Sequence, residues 1–258
     1  MIGISSACFY PINTEDTLPI IKDMGFGRIE VFINSNQEFS LKNMKELKVY
    51  CDDNGMKINS IHPFTSFAEP TLFFSNYQRR YEDGIELYKK YFYNSASICA
   101  KYFVFHGALS VQRISVERYA EIFYDLSIFA KCEGITLCQE NVSRCICGKK
   151  EYLFELDKLL GDNINYTLDL KQANRLGYNP IEFIDGIGQK IKLCHINDFD
   201  GNYECLLPCM GNFDFKEFKS KMDSNNYKGD YIIEVYSDNY NDYKEIEKSK
   251  TLLENIIN

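Results

Sequence analysis

VERYAEIFYDLSIFAKCEGITLCQE, residues 116–140, holds a helix, a turn and a strand in succession. Val116, Tyr119, Ile122, Phe123, Leu126, Phe129 and Ala130 recur at three- and four-residue steps, so they lay one apolar stripe along a helix predicted over Val116 to Lys131. Gly134 stands where that helix must stop, since a left-handed residue ends a helix and turns the chain. Thr136 to Glu140 then reads as a strand. A helix whose apolar stripe packs on neighbouring strands is half of a repeat in which every strand runs the same way.

The same punctuation runs along the whole chain. Strands are predicted at Ile2 to Ser6, Arg28 to Phe32, Lys57 to His62, Tyr102 to His106, Thr136 to Glu140, Asn165 to Asp169, Lys192 to His195 and Tyr231 to Glu234, with a helical segment between each pair. Gly25, Gly55 and Gly229 are expected to play the part of Gly134. Eight βα units make an α/β fold of the (β/α)8 TIM-barrel type, and 258 residues is close to the roughly 250 such a barrel takes. A single domain over residues 1–258 is therefore expected. The longest irregular piece, Pro63 to Ser75, follows the third strand and is expected to be an active-site loop.

Composition narrows the function. With 45% hydrophobic and 26% charged residues the chain has the make-up of ordinary soluble proteins, and no apolar run approaches the ~20 residues of a membrane span. The opening MIGISSACFYPINTED reads as a strand and a turn, not as a secretory signal, so a cytoplasmic location is expected. Ten scattered cysteines in a chain of this length are expected to be reduced thiols. A formal charge of −8 repels phosphate backbones, which argues against nucleic acid as the main partner and leaves a small molecule; an oligomer is compatible with everything here.

The chemistry lies in where ionisable residues fall. Glu30, His62, His106, Glu140, Asp169, His195 and Glu234 all stand at or near the C-terminal end of a predicted strand. In a (β/α)8 barrel those ends converge on one face, where active sites are built. All three histidines of the chain close a strand, in IHPF, FHGA and CHIND. Taken singly, each reads as readily as a hydrogen-bonded core histidine; three in equivalent places point to function. If His195 faces the barrel axis, strand alternation sends Leu193 there too and turns Cys194 toward the helices, and the same parity pairs Asp169 with Thr167 and Glu234 with Ile232. Carboxylates crowded in a barrel mouth need a compensating cation. Three carboxylates and one imidazole suit Mn²⁺, Co²⁺ or Mg²⁺ and accept Zn²⁺.

Glu140 in LCQEN, Asp169 in TLDL, His195 in CHIND and Glu234 in IIEVY together resemble the metal ligands of the xylose-isomerase-like barrels, the sugar phosphate isomerase/epimerase group that also includes endonuclease IV. Ile29-Glu30-Val31 after Gly25-Phe26, the strand-ending His62 and His106, and GNFDF from Gly211 to Phe215 fit the same family. The resemblance implies one divalent ion on Glu140, Asp169, His195 and Glu234, with Glu140 and Glu234 as the acid/base pair passing a proton through an enediolate of a sugar or polyol. Substrate contacts are expected from Glu30, His62, His106, Arg144 and Gln172, with room for a second ion near His62 and His106.

The chain departs from the family in two places. Many relatives carry a histidine three residues after the sixth-strand aspartate, where this chain has Gln172, an amide that binds hydroxyls but is a poor metal ligand. The paired glycines common after the seventh strand are replaced by Cys209-Met210-Gly211-Asn212-Phe213-Asp214. The Asp-x-His pair that completes the zinc cluster of endonuclease IV is missing after His195, which weighs against a nuclease. Arg144 and Arg175 follow strands five and six, within reach of an anionic group, but no glycine-rich phosphate cradle follows strand eight, which favours an unphosphorylated sugar or polyol. Cys145, Cys147, Cys205 and Cys209 lack the spacing of a zinc knuckle and read as free loop thiols. A metal-dependent dehydratase or hydrolase and a non-catalytic ligand-binding barrel are the competing functions.

Overall fold

A computed structural model describes residues 1–257 of the chain. Eight parallel strands close into a barrel in chain order: β1 (Ile2–Ser5), β2 (Arg28–Phe32), β3 (Lys57–His62), β4 (Tyr102–Phe105), β5 (Thr136–Glu140), β6 (Asn165–Asp169), β7 (Ile191–Ile196) and β8 (Asp230–Ile233). Closure is made by β1 on β8, where Gly3 pairs with Ile232. The helices are α1 (Thr14–Asp23), α2 (Leu41–Asp53), α3 (Glu69–Leu72), α4 (Gln78–Ser97), α5 (Val116–Cys132), α6 (Lys150–Leu160), α7 (Leu170–Arg175), α8 (Ile181–Ile187), α9 (Phe215–Ser224) and α10 (Tyr243–Ile257). No helix among the described residues is long and apolar enough to cross a membrane.

The strand predictions hold to within a residue, and the alternation holds with them. Val104, Leu193 and Ile232 form a small cluster of their own with Tyr102 packed against it, while Cys194, Leu168 and Ile233 belong to the large core. That separation is what two faces of one barrel produce: alternate residues fill the inside, and their neighbours meet the helices. On α5, Tyr119, Ile122, Phe123, Leu126 and Ala130 are buried as the stripe requires.

Two expectations change. Pro63 to Ser75 is not irregular, because a 3-10 turn (Phe64–Phe67) and α3 occupy most of it. Gly229 is not a left-handed helix stop, unlike Gly25, Gly55 and Gly134; after α9 that conformation falls to Asn226, at φ 58°. Gly229 is needed for a close approach instead, since a Cβ there would sit 2.1 Å from the Lys192 carbonyl oxygen.

Candidate metal and substrate site

Strand register sets the deepest part of the site. Asp169 pairs with His195 across β6 and β7, and Glu140 pairs with Thr167, two residues before Asp169. Glu234 follows β8 directly, and its backbone N–H donates to the Ile196 carbonyl. Asn141, next after Glu140, clasps the backbone of Asp169: its Oδ1 accepts from the Asp169 N–H at 2.7 Å and its Nδ2 donates to the Asp169 carbonyl. Asn197, two after His195, donates to Asp169 Oδ1 at 3.2 Å. Sequence reasoning missed both asparagines, although they stand inside QEN and HIND.

His195 is fully buried, and its two ring nitrogens face different partners. Nε2 lies 3.1 Å from the Glu30 carboxylate, which Ser60 Oγ also holds at 2.8 Å. Nδ1 faces three carboxylates, at 3.0 Å from Glu140, 3.4 Å from Glu234 and 3.8 Å from Asp169. One ring proton serves one acceptor, so this nitrogen gathers more oxygens than hydrogen bonding alone employs. Glu30 is completely buried behind His195 and does not reach the cavity, so its expected contact with substrate gives way to orienting the imidazole.

Beside this group lies a second one. Nε2 of His62 and of His106 are 3.0 Å apart, and they stand 3.7 and 2.7 Å from Glu140 Oε2. Arg144 Nη2, which can only donate, is 3.4 Å from His106 Nδ1, so that nitrogen is the acceptor and the ring proton sits on Nε2, toward His62. Glu140 Oε2 is therefore buried without a hydrogen bond although two imidazoles crowd it. Glu140 joins two sets of donors, His62 with His106 and Asp169 with His195 and Glu234, and within each set the donor atoms lie within 4.8 Å of one another. Both sets fit a cation: an orphaned buried carboxylate oxygen and converging imidazole nitrogens are what an ion of hard or borderline character resolves.

One cation is already there. Lys171, second residue of α7, is almost wholly buried, and its Nζ lies 2.5 Å from Asp169 Oδ2 and 2.6 Å from Glu234 Oε2. Sequence reasoning passed over it. Burial alone lifts a carboxyl pKa, but Lys171 and His195 hold Glu234 down to about 2. At Asp169 burial prevails over Lys171, helped by Glu234 and Glu140, and its pKa rises to about 6. For Glu140 the burial penalty is outweighed by His106, His195 and His62, which hold it well below the usual range. His195 is raised well above its ordinary value, against burial, by Glu30 and Glu234. Glu30, Glu140, Asp169 and Glu234 thus crowd around His195, and Lys171 Nζ touches two of them.

The cavity above measures about 490 Å³, room for a small ligand. His62, His106, Glu140, Arg144, Lys171, Gln172 and Glu234 line it, with Phe32, Ser66 and Tyr236 among the walls. Gln172 Oε1 accepts from the backbone N–H and the hydroxyl of Ser143, which leaves the amide NH₂ for the cavity. Glu69 on α3, also missed, is fully buried outside the cavity; it accepts from the N–H groups of His106 and Gly107 and from Tyr88, fixing the end of β4. Gly107 is positive in φ at 83°, and a Cβ there would meet the Tyr119 hydroxyl at 1.8 Å, so only glycine lets the chain turn away after His106. The loop cysteines are free thiols as expected, though Cys145, Cys147 and Cys205 are buried, and neither candidate metal group includes a thiol.

The family model described as xylose isomerase-like TIM barrel matches residues 18–256. No curated protein sequence matches the chain. Among solved structures, a D-tagatose 3-epimerase-like protein is 22% identical with a TM-score of 0.82, over 99% of this chain and 96% of that one. D-psicose 3-epimerase from Clostridium cellulolyticum H10, solved with D-tagatose, is 15% identical with a TM-score of 0.82, over 99% of each chain. The IOLI protein with a bound zinc atom is 19% identical with a TM-score of 0.80, over 99% of this chain and 97% of that one. At these identities the likeness shows the fold.

Proposed function

The chain belongs to the xylose isomerase-like TIM barrel family, and on that premise we propose that it is a divalent-metal-dependent isomerase or epimerase of a small sugar or polyol. The observation that carries this reading is the buried meeting of Glu140, Asp169, His195 and Glu234, of which Glu140 and Glu234 line a sugar-sized cavity. Those four residues would hold the ion, Mn²⁺, Co²⁺, Mg²⁺ or Zn²⁺, with a second place among His62, His106 and Glu140. When bound, the ion supplies polarisation of a carbonyl and its neighbouring hydroxyl, which lowers the cost of removing a carbon-bound proton.

The protein's own groups do the rest. Glu140 and Glu234, three strands apart around the mouth, take and return the proton through an enediolate; both line the cavity. Return from the opposite face inverts one carbon, whereas return by the same carboxylate to the adjacent carbon interconverts aldose and ketose. His62, His106, Arg144 and the free amide of Gln172 bind hydroxyls and fix which carbon lies between the glutamates. Glu30 holds His195 in place. The psicose epimerase and tagatose epimerase-like neighbours favour a ketose over other polyols.

The test is turnover on a panel of ketoses, aldoses and inositols, followed by chromatography, with added Mn²⁺ and with chelator. Ion-dependent interconversion that falls about 10²-fold or more in Glu140→Gln and in Glu234→Gln is expected. Ion-independent turnover, or wild-type rates in either variant, contradicts the proposal. Loss of water or bond hydrolysis would favour the dehydratase or hydrolase, and sugar binding without turnover the ligand-binding barrel.

A further inference from the structure

We propose that Lys171 is a resident counter-cation of the metal centre, which a divalent ion must displace from Asp169 and Glu234, so that Lys171 sets how tightly this chain binds metal. The inference rests on the metal-dependent reading above and deepens it. The oxygens that Lys171 Nζ holds, Asp169 Oδ2 and Glu234 Oε2, are the same two that face His195 Nδ1. An ammonium and a divalent ion compete for them, because both are drawn to the same two oxygens and the two charges repel at that range.

The surroundings show where Lys171 goes when displaced. Its backbone is fixed early in α7 between buried Leu170 and Ala173, whereas its four-carbon stem is flexible. The side chain lines the cavity, with Nζ 5.8 Å from the centre of the Tyr236 ring. A rotation of the stem carries the ammonium from the carboxylates toward that ring and the cavity, where it faces a bound ligand's oxygens. An amine tied to two carboxylates is a poor nucleophile, which argues against a covalent role for Lys171.

Two measurements decide the point, neither of which needs the substrate. Titration calorimetry with Mn²⁺ on chelator-treated protein is expected to show Lys171→Met binding about tenfold or more tightly than wild type. The chelator-treated variant should also melt several degrees lower than chelator-treated wild type, and Mn²⁺ should abolish the difference. Lys171→Arg, which keeps the charge, should keep the wild-type melting temperature. Should Lys171→Met fail to fold, amine labelling of the wild-type chain read by mass spectrometry still decides: Mn²⁺ is expected to raise labelling at Lys171 relative to the other lysines. Equal or weaker Mn²⁺ affinity in Lys171→Met, or labelling at Lys171 unmoved by an ion that binds, overturns the inference while leaving the metal-dependent reading in place. Uptake by Lys171→Met but not by wild type sustains the inference and removes that reading, and uptake by neither removes both.

Discussion

Nε2 of His195 stands 3.1 Å from the carboxylate of Glu30, and both side chains are completely shut off from solvent. Glu30 thereby takes one ring nitrogen and turns the other, Nδ1, toward Glu140, Asp169 and Glu234. A carboxylate behind a ligating histidine fixes its tautomer and strengthens it as a donor.

Glu30→Gln should therefore leave the fold in place and weaken Mn²⁺ binding by about 10- to 100-fold, the usual effect of losing such a partner. Titration calorimetry against wild type measures it. An unchanged affinity would mean that the imidazole keeps its orientation without Glu30.

Glu69 predicts a pH dependence of stability. Burial pushes its pKa up from 4.5 to about 8, against the pull of Tyr88 and the N–H groups of Gly107 and His106. The folded chain keeps a proton that the unfolded chain releases across this window, so the contribution is complete below the unfolded value and is lost as pH rises toward the folded one. Glu69→Gln cannot release a proton. Between about pH 5 and pH 8 the wild type should lose stability relative to this variant by on the order of a few kcal/mol. Urea melts at a series of pH values give the comparison, and a constant difference contradicts it.

The thiols make a prediction that needs no substrate. All ten cysteines are unpaired; Cys99 and Cys132 are exposed, Cys209 is half-buried and the other seven are buried. Burial also pushes Cys8, Cys51, Cys145 and Cys194 up to about 12, which removes their thiolate at neutral pH. Ellman's reagent should find two fast thiols and one slow one in the folded chain, and all ten after denaturation without reductant. Fewer than ten in the denatured chain would reveal disulfides.

Much of this was legible in the sequence. Helix stripes, glycine stops and eight apolar runs define the barrel, and strand parity puts His195 on the face of Leu193, Asp169 on that of Thr167 and Glu234 on that of Ile232. What escaped is set by depth and by side-chain direction. Glu30 stands two residues before the end of its strand whereas Glu140 closes its own, and that difference in depth leaves one behind His195 and the other at the cavity. Lys171 opens a helix, where a lysine ordinarily lies in water, and only barrel closure, which brings Glu234 after β8 within reach of the Asp169 end of β6, turns it inward. Glu69 lay in a stretch without periodicity, since a 3-10 turn and a four-residue helix are too short to show one. Gly229 resembles the other glycines in sequence, and its real constraint, the Lys192 carbonyl, comes from another strand.

The central claim is that the ends of β5 to β8 build one metal centre. Crystals soaked in Mn²⁺ and measured at the manganese absorption edge test it most directly. The expected result is an anomalous peak at bonding distance, roughly 2.0–2.3 Å, from oxygens of Glu140, Asp169 and Glu234 and from Nδ1 of His195, with Lys171 moved away. A map without a peak among those four side chains, or with manganese held only at the surface, would contradict the account.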